Sequence, residues 1–154
     1  MKGPLFYSKI LLFGEYGIIK DSKGLSIPYS FYNGALKMDN NVSKEALHSN
    51  KNLKVFAKYL KTIEDELVSF DYQSLERHLN EGMYFDSSIP QGYGVGSSGA
   101  LVAAIYDKYA YGKITVLENL TREKLLKLKM IFSKIEKKQG NIRCNLLHRK
   151  NQWQ

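Results

Sequence analysis

Apolar and polar positions divide the chain into a strand-rich start, a helical middle and an irregular end. Residues 5–13 (LFYSKILLF) combine aromatic, leucine and isoleucine residues in the way strands do. Gly14 and Gly17 punctuate that run, Ile18 and Ile19 extend it as a return strand, and Asp21-Ser22-Lys23-Gly24 has turn chemistry. From Leu25 to Met38 aromatics alternate with small or polar residues, which predicts one or two further strands. Residues 39–52 are rich in Asn, Ser and Lys and read as a loop with room for one helical turn.

Helical spacing takes over at Leu53. Val55, Phe56, Tyr59, Leu60, Ile63 and Leu67 recur at three- and four-residue intervals, predicting an amphipathic helix over 53–68. A shorter helix is expected at Ser74–Leu79 and a strand at Met83–Ile89. Pro90–Gly96 is a glycine-rich loop. Ser97–Tyr111 then reads as an apolar helix capped by Ser97 or Ser98, with Ala100, Ala103 and Ala104 giving it a small-residue surface. Thr121 caps one more predicted helix, over 121–137, with Leu125, Leu128, Ile131, Phe132 and Ile135 on one side. Beyond Glu136 neither period persists.

Composition narrows the function classes. The single cysteine, Cys144, excludes an internal disulfide framework, and the scattered His48, His78 and His148 give no zinc-site spacing. No apolar run approaches the roughly 18–20 residues that span a bilayer, and Leu11–Phe13 is too short for a signal peptide, so no membrane partner is expected and the expected location is cytoplasmic. The net charge of +8 invites a nucleic-acid-binding reading. Residues 1–121 carry 13 basic and 13 acidic side chains, however, and the last 33 carry ten basic against two acidic. The excess belongs to the end of the chain, without interleaved aromatics for stacking bases, so a basic nucleic-acid module stands only as the alternative.

The candidate chemistry lies in Pro90-Gln-Gly-Tyr-Gly-Val-Gly-Ser-Ser-Gly-Ala100. Three glycines at alternate positions between a strand and a helix let backbone approach an anion, and the helix start adds N–H groups and a positive dipole end. Two serines add hydroxyls for a phosphate oxygen or a bound Mg²⁺. A tight strand-to-helix turn without a ligand is the plain alternative. The loop lacks the Gly-Lys-Ser/Thr of a Walker A sequence. Its Gly94-x-Gly96-x-x-Gly99 spacing fits a dinucleotide fingerprint, but it sits deep in the chain rather than in a first βαβ unit. It also lacks the final glycine of a nucleophile elbow.

This loop resembles the second conserved segment of the GHMP kinases, Pro-x-x-x-Gly-Leu-Gly-Ser-Ser-Ala. Pro90, Gly94, Gly96, Ser97 and Ser98 match, while Val95 replaces Leu and Gly99 replaces Ala. The family's first segment, Gly-Lys followed by an apolar strand and Gly-Glu, is similar to Ser8-Lys9-Ile-Leu-Leu-Phe-Gly14-Glu15-Tyr16, with Ser8 in place of the glycine. The KILLFGEY form is most like mevalonate kinases.

The resemblance implies an α+β fold: a ribosomal-protein-type left-handed βαβ with a mixed sheet and packed helices. It implies transfer of the γ-phosphoryl group of ATP, with Mg²⁺ as cofactor, to a small alcohol such as mevalonate. It gives Lys9 a place beside the reacting hydroxyl and γ-phosphate. It assigns Gly92, Tyr93, Gly94, Val95, Gly96, Ser97 and Ser98 to the nucleotide phosphates, and Ser98 and Glu136 to the metal. Those roles suit a reaction governed by positioning and charge neutralisation.

Eleven residues after Glu136, where the family places its catalytic aspartate, stands Leu147. The expectation is therefore an ATP-binding domain over 1–136 and a basic, non-family tail over 137–154. A frameshift or premature stop would account for the tail, and would leave an inactive chain without its C-terminal domain.

Overall fold

The computed structural model describes residues 3–13, 25–38, 43–63 and 69–113. Strand β1 (Phe6–Phe13) pairs antiparallel with β2 (Leu25–Lys37), whose later half pairs antiparallel with β4 (Tyr84–Ser87). A second, two-stranded antiparallel sheet joins β3 (Ser69–Phe70) to β5 (Ala110–Tyr111). Helices α1 (Lys44–Leu60), α2 (Tyr72–Asn80) and α3 (Ser97–Tyr109) complete the α+β architecture. All strand pairings among the described residues are antiparallel, so the parallel component of the implied mixed sheet is not among them.

Helix α1 begins nine residues before the predicted 53–68 helix. The Ser43 side chain accepts a hydrogen bond from the Ala46 amide at 3.1 Å, the geometry of an N-cap. The polar residues that suggested a loop are anchored in tertiary bonds instead. Ser49 Oγ bonds to both the Phe85 carbonyl (3.0 Å) and the Phe85 amide (3.1 Å), and Asn50 Nδ2 donates to the carbonyls of Leu79 and Met83 (2.8 and 2.7 Å). Side chains that satisfy strand and helix-end backbone groups hold a helix that periodicity alone does not reveal. The helix passes after Leu60 into a 3₁₀ turn, Lys61–Ile63.

The shorter helix extends beyond its predicted 74–79 to Tyr72–Asn80, because Asp71 accepts from the Ser74 amide at 2.9 Å. Helix α3 stops at Tyr109, two residues short of expectation, where Ala110 and Tyr111 turn to pair with β3. Its core face joins the buried cluster: Ala104 and Ile105 share it with Phe56, Leu60, Leu75 and Met83, all buried to 2% exposure or less. That packing fixes the axis of α3 relative to the sheet, and so fixes where its amino end lies. No helix among the described residues is long and apolar enough to cross a membrane. The predicted return strand at Ile18 and Ile19, the turn at 21–24, the helix over 121–137 and the segment 137–154 lie outside the described residues.

Candidate functional site

The loop from Pro90 to Gly96 leaves the core at buried Ile89 and returns to it at Val95, which packs against the core cluster. Between these points Gly92, Tyr93 and Gly94 are exposed. Gly92, Gly94 and Gly96 have φ of 85°, 70° and 82°, in the left-handed region where a side chain is strained. Left-handed residues at every second position form the kind of concave backbone that binds anions through N–H groups.

Gly96 itself is the N-cap of α3, with φ 82° and ψ 24°, and no side chain caps the helix. This corrects the predicted serine cap. A serine cap needs extended backbone, and here that place is taken by a left-handed glycine. Ser97 and Ser98 instead form the half-buried first turn. The amino end of α3, positive by its dipole, therefore opens directly onto the glycine loop.

The second half of the site comes from β1. The Lys9 amide donates to the Val95 carbonyl at 3.1 Å, which fastens the loop to the edge of β1 that does not pair with β2. The Lys9 side chain crosses Gly96 so closely that a Cβ there would lie 2.8 Å from Lys9 Cγ. Glycine at 96 is thus required twice, by its dihedral angle and by the lysine above it. Among the described residues no carboxylate pairs with Lys9. A cavity of about 320 Å³ opens here, walled by Leu5, Phe6, Lys9, Gly96, Gly99 and Ala103 among others.

The structure thus brings together Lys9, Gly96 and the start of α3, some 90 residues apart in sequence. Val95 contributes its carbonyl while its side chain turns to the core, and Tyr93 stands 79% exposed at the tip of the loop. Glu136 lies outside the described residues. Sequence reasoning missed the walls supplied by Leu5, Phe6, Gly99 and Ala103. The last two stand one helical turn apart, a spacing that puts both on one side of α3. Among the described residues no cluster of three or more His, Cys, Asp or Glu side chains is placed to hold a metal.

A glycine loop with three left-handed residues, a helix start without a side-chain cap and an opposed lysine make the kind of surface that accepts an anion. The family model for the GHMP kinases N terminal domain matches residues 53–146, more than half of the chain, and the chain belongs to that family. The matched span contains the later part of α1 from Leu53, α2, the glycine loop and α3, and it begins after β1 and Lys9. No curated protein and no solved structure matches the chain.

Proposed function

We propose that this chain carries the ATP-binding site of a GHMP-type kinase and that it directs the γ-phosphoryl group of Mg-ATP to the hydroxyl of a small, mevalonate-like alcohol. The observation that carries the proposal is the docking of Lys9, through its backbone on Val95 and its side chain across Gly96, at the amino end of α3. A fixed cation, a helix dipole and loop N–H groups facing one space neutralise a polyphosphate without reorganising as charge shifts. The loop and the N–H groups of α3 hold the phosphates. Lys9 stands over them on the β1 side, where it stabilises the charge that develops on the transferring group. Bound Mg²⁺ supplies further neutralisation of the phosphate oxygens, with Ser98, and by family resemblance Glu136, as its protein ligands. The left-handed βαβ connection belongs to the same proposal.

Calorimetric titration with Mg-ATP, and with ATP in EDTA, tests this reading. Saturable binding that weakens on chelation, on Lys9→Met and on Ser98→Ala is expected. Absence of any heat or thermal stabilisation at millimolar Mg-ATP would remove the nucleotide assignment. Release of ADP on adding mevalonate, and not on adding unrelated alcohols, tests the acceptor.

A further inference from the structure

We infer that Ser8 is a positioning residue for Lys9, acting through a hydroxyl clamp on an irregularity in the β1–β2 ladder; this rests on the reading of Lys9 as the phosphate-facing cation. Ser8 is the buried polar residue of the described core, at 1% exposure, and it immediately precedes the lysine. Its Oγ donates to the Tyr29 carbonyl at 2.7 Å. At that point the register breaks. Tyr7 pairs with Asn33, and the next residue, Ser8, pairs with Tyr29. Ser30, Phe31 and Tyr32 therefore have no partner on β1.

An interruption of this kind removes ladder hydrogen bonds and re-aims the side chains beyond it. Here the residue beyond it is Lys9. The three-residue excursion is held by its own aromatic contacts, with Phe31 5.0 Å from Tyr32 and 6.1 Å from Tyr29 between ring centroids. These contacts shape the excursion but do not tie it to β1. The Ser8 hydroxyl does, by bonding the carbonyl of the residue where pairing resumes. A slip of one residue in β1 would turn Lys9 to the opposite face of the strand. Its amide would leave Val95 and its side chain would leave Gly96. The clamp therefore selects the register in which the lysine meets the loop. The resembled family segment carries glycine here, which has no hydroxyl, so the device is a feature of this chain.

Two readouts on the full chain test this. In the first, NMR hydrogen exchange is measured at the Lys9 amide, which requires no ligand. Ser8→Ala is expected to accelerate that exchange about tenfold beyond any global change, the order expected for losing one buried hydrogen bond. Ser49→Ala removes a different serine clamp, on Phe85 in β4, and is expected to destabilise the fold without selective exchange at Lys9. In the second, Mg-ATP affinity is measured for Ser8→Ala, Lys9→Met and the double variant. Ser8→Ala is expected to weaken binding about tenfold, with no further loss when Lys9 is already replaced. Unchanged Lys9 exchange in Ser8→Ala overturns the inference whatever the nucleotide result. Additive losses in the double variant also overturn it, because they mean Ser8 does not act through Lys9. Selective exchange at Lys9 without any Mg-ATP binding by the parent chain upholds the clamp and removes the kinase reading.

Discussion

The helical core and the β1–loop junction are built on opposite logics. In the core, Leu53, Phe56, Ala57 and Leu60 of α1 recur at helical spacing and interlock with Leu75 and Leu79 of α2 and with Ala104 and Ile105 of α3. Each position is filled by a side chain of suitable volume, and stability comes from apolar burial. At the junction, function depends on what is absent. Glycines at 92, 94 and 96 have no Cβ, α3 has no side-chain cap, and a cavity lies between β1 and α3. One region gains from filling space and the other from keeping it open.

The largest test separates the two regions. Phe56→Ala, at a site 1% exposed, is expected to cost about 3–5 kcal/mol by leaving a cavity in the core. Urea denaturation measures that loss. Mg-ATP affinity of the fraction that remains folded is expected to stay within about twofold, since Phe56 does not line the site. A large drop in intrinsic affinity would show that the regions are not separable.

Gly96→Ala makes the converse change. Its φ of 82° strains any side chain, and its Cβ would meet Lys9 Cγ at 2.8 Å. The strain is expected to cost about 1–3 kcal/mol of stability. Displacing Lys9 is expected to reduce Mg-ATP affinity by more than about tenfold. Titration beside denaturation gives both numbers. Stability lost without affinity lost would remove the lysine contact from the function.

How much of this was readable in the sequence follows from the same contrast. The strands at 5–13 and 25–38, the loop at 90–96 and the helix after it follow from periodicity and glycine placement, because repetition is what those elements are made of, while the α+β class came from the family resemblance. The first turns of α1 did not, since Ser43, Ser49 and Asn50 look like loop residues until their partners on Ala46, Phe85, Leu79 and Met83 are in place. The glycine loop was read as a candidate anion site from its own glycines, serines and following helix, and Lys9 was added by resemblance to the family's first segment. Their meeting depends on a hydrogen bond across 86 residues of chain, from Lys9 to Val95, which no local pattern encodes. The walls at Gly99 and Ala103 were hidden for another reason. Small residues on a helix face suggest close packing, and here they border open space.

Gly99→Ala sharpens this last point with a smaller effect of opposite sign. Gly99 lies inside α3 without a positive φ, and a Cβ there meets nothing within 4 Å. Alanine in a helix is favoured over glycine by roughly 0.5–1 kcal/mol, so the variant is expected to be more stable by about that amount. Alanine is also what the resembled segment carries at this place, and Mg-ATP affinity is expected to change less than about twofold. Improved stability with lost affinity would put the ligand against the α3 face itself, which would move the phosphates deeper into the cavity than the amino end of the helix.

The smallest effect is expected from pH, and it belongs to the core side. His78 near the end of α2 shares a 2.8 Å hydrogen bond between Nδ1 and the Tyr109 hydroxyl, which in turn donates to Met83 Sδ at 3.0 Å. Burial, followed by the charges of Lys108 and Arg77, holds the imidazole below its ordinary value, and Glu81 and Asp71 offset only part of this. A depressed histidine pKa means that the unfolded chain binds the proton more readily than the folded one. Stability from this group is therefore complete above the ordinary imidazole value of about 6.5, declines as pH falls below it, and levels off once the folded form is protonated as well. Melting temperatures at about pH 7.5 and pH 5.5 are expected to fall by more in the parent chain than in His78→Gln. The Mg-ATP affinity ratio between Lys9→Met and the parent is expected to be the same at both values, because His78 acts on the packing of α2 against α3 and not on the loop. A ratio that changes with pH in the parent but not in His78→Gln would mean that the carboxyl end of α3 communicates with its amino end. In that case the filled and open regions would form one mechanical unit rather than two.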